Sequence, residues 1–176
     1  MKSFKAFIDS KKRQGKIYCD LDGVLVDLMG WFCVTYTPPT CKPIFIDRYF
    51  EAAKPEMVKE YPHMYRDLPW TKDGKQLWAY IGKHNPNILS AYSETFKNSP
   101  ADKLVWIQNN LRPDPHKKHI VLRNQKQLYA VQDDGTPNIL IDDFARNTKE
   151  WTARGGVAIH HKDAASTIAQ LGKLGL

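Results

Sequence analysis

An apolar run that stops in two acids one residue apart, Ile17-Tyr18-Cys19-Asp20-Leu21-Asp22-Gly23, constrains this chain more than any other feature. Carboxylates so spaced at the end of a buried strand raise each other's pKa unless a cation lies between them. In open α/β sheets, ligands collect at the carboxyl ends of the strands. Asp20 and Asp22 therefore read as a metal and nucleophile site closing a first strand. An Asp-Gly pair also marks hairpin turns. The flanking residues, Lys16 to Cys19 and Val24 to Val26, are mostly apolar and lack the alternation of a half-exposed hairpin.

A second run has the same shape. Asn138-Ile139-Leu140-Ile141 leads directly into Asp142-Asp143. Two strands that each end in acids imply a divalent cation to gather them. Mg2+ suits that role, since it takes hard oxygen ligands and keeps several waters. Between the two acidic strands lie two more. Asn87 to Ala91 follows the turn pair Asn85-Pro86 and carries Ser90 near its end. His119 to Leu122 is followed by Arg123-Asn124-Gln125-Lys126, where Lys126 can reach back to the acids and neutralise a phosphoryl group. Lys117 and Lys118 precede that strand and read as solvated charge at the opposite end. Val157 to His160 makes a fifth strand, and His160-His161 reads as a solvated loop pair.

Helix signals alternate with the strands. Phe4, Phe7 and Ile8 share one face of a short amino-terminal helix, and Phe45, Tyr49, Phe50 and Ala53 share one face of another. Ser99 is positioned as an N-cap before Pro100, with Leu104, Trp106, Ile107 and Leu111 on the apolar side. Lys103 sits in the first turn of that helix, where the macrodipole opposes a cation. It reads equally as an exposed lysine or as a phosphate ligand. Asp163 caps a last helix with Ile168, Leu171 and Leu174. Residues from Leu28 to about Trp70 contain no clear strand and are rich in aromatics and proline, which reads as a small helical insertion over the acidic pair. Most of its aromatics belong to a minor core. Trp31 and Phe32, nearest the acids, are also placed to stack on a nucleobase, a contact worth about 1–3 kcal/mol.

At 176 residues the chain makes one domain with room for an insertion. Its net charge of +7 favours anionic ligands such as nucleotides, sugar phosphates or nucleic acid. No long basic block demands extended nucleic-acid binding. No stretch reaches the roughly 18 apolar residues of a membrane span, and Met1 to Arg13 lacks the apolar segment of a signal peptide. Three cysteines without metal spacing fit a reducing cytoplasm.

Asp20-Leu-Asp-Gly-Val-Leu25 after a hydrophobic strand resembles the first motif of the haloacid dehalogenase (HAD) superfamily, mostly Mg-dependent phosphatases and phosphotransferases. Ser90, Lys126 and Asp142/Asp143 follow in the order of that superfamily's other motifs. Lys103-Leu-Val-Trp106-Ile, Ile120-Val-Leu-Arg-Asn-Gln-Lys126 and Leu140-Ile-Asp-Asp143 with Asn147 and Trp151 are similar to the 5′(3′)-deoxyribonucleotidase group. Ala91 stands where that group has a second hydroxyl.

The resemblance implies an α/β fold: a Rossmann-like three-layer core over residues 1–27 and 71–176, with a parallel sheet in the order 5-4-1-2-3. Residues 28–70 would form a small helical cap. It implies Asp20 as nucleophile and Asp22 as general acid and base. Asp20, the backbone carbonyl of Asp22, and Asp142 or Asp143 would hold Mg2+. Ser90, Lys126 and Lys103 would hold phosphate. The implied activity is hydrolysis of a small phosphorylated substrate, a (deoxy)nucleoside monophosphate, through an aspartyl-phosphate. Two rival readings stand beside it: a phosphatase of nucleic-acid 3′ or 5′ ends, and a non-catalytic Mg2+- or nucleotide-binding module.

Overall fold

The computed structural model describes residues 14–35 and 46–176. Five strands form one parallel sheet: β1 (Ile17–Cys19), β2 (Asn87–Ala91), β3 (Lys117–Val121), β4 (Ile139–Asp142) and β5 (Val157–His160). Their order is β3-β2-β1-β4-β5, as the resemblance implies. Both β1 and β4 are buried throughout, which is why their sequences run apolar without alternation. Cys19 pairs with Ile141, so the next residue along β1, Asp20, arrives level with Asp142.

The described residues also form six α-helices: α1 (Leu28–Thr35), α2 (Ile46–Glu60), α3 (Gly74–Ile81), α4 (Ser99–Asn110), α5 (Ala145–Ala153) and α6 (Ala164–Lys173). Successive strand residues face opposite sides, and the core divides accordingly. Ile17, Cys19, Ile88 and Ile141 pack with Leu77, Ile81, Trp106, Ile107 and Leu171 on one side. Tyr18, Leu89 and Leu140 pack with Ala130 and Trp151 on the other.

The segment after β1 is a buried turn, not a strand. Leu25 N and Val26 N both donate to Leu21 O at 2.8 Å, and Val24 and Leu25 are fully buried. Past it, Phe32 of α1 meets Phe50 of α2 edge-on at 5.2 Å, and Trp31 meets Tyr61 edge-on at 5.4 Å. Residues 61–70 then return along α4. Trp106 Nε1 donates to Leu68 O (2.8 Å), Trp70 Nε1 to Asn110 Oδ1 (3.1 Å), and Arg66 Nη2 to the buried Asp102 (3.3 Å).

Several boundaries differ from the sequence reading. Asn98 holds the N-cap position of α4 without a side-chain capping bond; Ser99 is the first helical residue and its hydroxyl accepts from Ser93 N at 3.0 Å. Strand β3 starts at Lys117, because pairing with Asn87 and Ile88 of β2 extends it through both lysines. Residues Arg123–Tyr129, whose class the sequence left open beyond Lys126, form a 3-10 helix. Cys33 is disulfide-bonded. The amino-terminal helix and Phe45 also lie outside the described residues. Among the described residues no helix is long and apolar enough to cross a membrane.

Candidate active site

The carboxyl ends of β1 and β4 bring Asp20, Asp142 and Asp143 together, each with a carboxylate oxygen within 4.8 Å of the others'. Lys126 fills the space behind them. Its Nζ lies 2.7 Å from Asp20 Oδ2 and donates to Asp142 Oδ2 at 2.8 Å, and the residue is 2% exposed. Burial alone would lower the lysine's pKa. The two carboxylates outweigh that and raise it, so Lys126 stays charged. The 3-10 helix beginning at Arg123 turns the chain back after β3 and delivers this side chain to the acids.

The paired acids of β4 differ in their surroundings. Asp142 is fully buried, and both its oxygens accept from Asn147 Nδ2 at 3.0 Å. Phe144 N donates to its Oδ1 at 2.9 Å. Burial and the Asp20 charge still push its pKa up to about 6. Asp143 is exposed, and no described residue hydrogen-bonds or ion-pairs its carboxylate. Burial of the carboxyl group and the charges of Asp20 and Asp142 push its pKa up to about 7. Its carboxylate leans over Gly23, where a Cβ would stand 1.9 Å from Asp143 Oδ2. With φ at +74°, Gly23 is also in a conformation that side chains disfavour.

Asp22 lies on the other side of Asp20. Its carboxylate accepts from Lys103 Nζ, which also donates to Ser90 Oγ at 3.0 Å. Burial raises the Asp22 pKa, and Lys103 opposes that rise. Lys103 is 2% exposed, and its ammonium sits 5.1 Å from the ring centre of Tyr65. The side chain that the helix dipole disfavours is thus held by a carboxylate, a hydroxyl and an aromatic face. The exposed-lysine reading of Lys103 does not stand.

The structure thus gathers Asp20, Asp22, Ser90, Lys103, Lys126, Asp142 and Asp143 at one edge of the sheet. It does not bring Trp31 and Phe32 there. Phe32 is 1% exposed and packed in the core, where no base can reach it, and Trp31 packs on Tyr61 outside the cavity. The cavity over the acids, about 680 Å³, is walled instead by Leu28, Met29, Phe50 and Phe144, with Asp27, Glu51 and Arg123 as its charged groups beyond the cluster itself. Phe144 is half exposed, directly after the acid pair. Asn147 had a legible signal, one helical turn beyond Asp143. Met29 and Phe50 had none, because their place depends on how α1 and α2 fold over the edge.

No protein-family model matches the sequence, and no curated protein matches it. Solved structures do. A hydrolase from Streptococcus pneumoniae TIGR4 superimposes with a TM-score of 0.54 at 9% identity, over 89% of this chain and 97% of that one. The L-2-haloacid dehalogenase of Xanthobacter autotrophicus gives 0.52 at 12% identity, over 83% of this chain and 76% of that one. The chain has the HAD fold. At these identities the likeness is one of architecture, and chemistry within the HAD fold has to be argued from the site.

Proposed function

We propose that the protein is a Mg2+-dependent phosphomonoester hydrolase acting on (deoxy)nucleoside monophosphates. The observation that carries this is the pairing of two carboxylates with two buried lysines: Asp20 with Lys126, and Asp22 with Lys103. A site that only bound an anion would need the lysines and be hindered by the acids. Nucleophilic displacement at phosphorus needs both.

The metal fits the donor set. Three carboxylates crowd one point, and burial together with the neighbouring acid charges raises the pKa values of Asp142 and Asp143, a charge crowding that a cation would relieve. Asp142 is already engaged by Lys126, Asn147 and the Phe144 amide. Asp20 and Asp143, with the backbone carbonyl of Asp22, are therefore the residues that would hold Mg2+. When bound, the ion offsets the charge between phosphate and carboxylates.

In this scheme an Asp20 oxygen attacks phosphorus and the ester bond breaks, leaving an aspartyl-phosphate. Asp22, whose burial favours the protonated carboxyl, gives its proton to the departing oxygen and later takes one from the attacking water. Lys126, Ser90 and Lys103 bind the phosphoryl oxygens. Residues 28–70 act as a cap that excludes water. Phe144, Met29 and Phe50 face the leaving group in the place first expected of Trp31 and Phe32.

The test is phosphate release from p-nitrophenyl phosphate and from a panel of ribo- and deoxyribonucleoside monophosphates, 5′ and 3′. Mg2+ should support turnover and EDTA abolish it. Asp20→Asn should retain the native circular dichroism and lose roughly 10³-fold or more in rate. Turnover without metal, or near-normal turnover by Asp20→Asn, would refute the proposal.

A further inference from the structure

A second cavity, about 460 Å³, lies at the amino-terminal end of the strands, on the sheet face that carries Tyr18. In a three-layer α/β fold a helix ordinarily covers such a face. Here the connection from β3 to β4 supplies only the 3-10 helix Arg123–Tyr129 and a tight turn closed by the Val131–Pro137 bridge. The concavity between them is built rather than accidental. Asn138, 2% exposed, accepts from Lys16 N at 2.9 Å and donates to Tyr129 O at 2.9 Å, which fixes two of its walls.

Three rings form the apolar part. Tyr18 lies 5.9 Å from His119 and 5.7 Å from Tyr129, and His119 lies 4.6 Å from Tyr129, all between ring centres. Their polar tips are unused. Tyr18 is 6% exposed and lines the cavity, yet no described residue offers its hydroxyl a hydrogen bond. His119 Nε2 is buried without a partner. Buried tyrosine hydroxyls and imidazole nitrogens ordinarily find partners. Two cations stand at the rim. Lys118 is held by Asp114 at 3.0 Å, whereas neither Lys16 nor Lys117 makes an ion pair among the described residues. Asp133 and Asp134 stand on the turn side.

We propose that this cavity is a second ligand site, taking a nucleoside monophosphate. A planar heteroaromatic ring fits against the three aromatic side chains, with Tyr18 and His119 supplying the hydrogen bonds they now lack. The phosphate meets Lys16 and Lys117. Sugar hydroxyls or exocyclic amines meet Asp133 on the turn. The volume is in the range of small-molecule sites, and ring stacking rewards any base. Burial, with the Lys117 charge second, lowers the His119 pKa, so its ring is neutral near pH 7 and one nitrogen can accept. The site does not depend on the chemistry proposed for the acidic edge.

The experiment follows the His119 ring signals by 1H–13C NMR, assigned with His119→Gln, while AMP is added in EDTA so that no turnover occurs. The expected result is a saturable shift with a Kd below about 1 mM. In Lys117→Glu or Lys16→Glu, both rim substitutions outside the sheet core, the Kd should rise about tenfold or more. Inorganic phosphate alone should bind at least tenfold more weakly than AMP. No shift at 10 mM AMP, no loss in either lysine variant, or equal binding of phosphate and AMP would each overturn the proposal. A catalytically silent protein that still shows the shift would refute the hydrolase and leave this site standing.

Discussion

Lys126→Met removes one charge from the centre of the acidic edge while keeping most of the side chain's volume. In the wild type the ammonium is 2% exposed and sits between Asp20 at 2.7 Å and Asp142 at 2.8 Å. Methionine fills the space and leaves two buried carboxylates facing each other, with Asp143 nearby. Breaking a buried pair in this way costs about 3–5 kcal/mol. For a chain of this size each kcal/mol moves Tm by roughly 2–4 °C, so a fall of about 6–20 °C is expected at pH 8. The penalty has a pH signature. Asp142 and Asp143 already have pKa values raised to about 6 and about 7, and losing Lys126 raises them further. Groups with raised carboxylate pKa values bind protons more tightly folded than unfolded, so stability is gained as pH falls through those values. The variant should therefore recover much of its loss at pH 5.5. Added Mg2+ should restore part of it at pH 8 by supplying a cation to the same carboxylates. Urea denaturation at both pH values, with and without Mg2+, reads all of this. A loss under 1 kcal/mol at pH 8, or a loss that neither acid nor Mg2+ relieves, would refute the assignment of Lys126 as the counter-charge of the cluster.

Other outcomes follow from the same geometry. Apparent Mg2+ affinity of the wild type should rise as pH increases from 5.5 to 8, because Asp143 must lose its proton to bind the ion; calorimetric titration at both ends would show a flat profile if its pKa were ordinary. Gly23→Ala sets a Cβ against Asp143 at a positive φ, so it should weaken Mg2+ binding by about tenfold or more while the strands stay folded; unchanged affinity would mean that Asp143 is not a ligand. Phe144→Ala should raise KM for nucleoside monophosphates by roughly 5- to 50-fold and leave ribose 5-phosphate unaffected, since only the former presents an aromatic base to that wall. Equal effects on both substrates would remove Phe144 from leaving-group recognition.

The sheet was legible because its buried strands advertise themselves. Ile17 to Cys19 and Ile139 to Ile141 are continuous apolar runs, and each ends in acid where the chain leaves the core. The meeting of those ends follows from parallel pairing of β1 with β4, a long-range fact that the paired acids themselves signalled. Lys103 was ambiguous because its sequence position offends the helix dipole, and only the fold shows Asp22, Ser90 and Tyr65 around its ammonium. The aromatics after β1 could not be sorted by spacing. Whether Trp31, Phe32 or Phe50 faces the cavity depends on how α1 and α2 pack on each other, which composition does not encode. The second cavity was invisible for a related reason. Lys16 and Lys117 are far apart in the chain and come to line one cavity only through the pairing of β1, β2 and β3.

The most direct measurement is a crystal structure of the protein soaked with Mg2+ and a phosphate mimic. The prediction is one ion at about 2.0–2.1 Å from oxygens of both Asp20 and Asp143, with the mimic against Lys126. An ion bound by only one of the two strand ends, or none at saturating Mg2+, would contradict it.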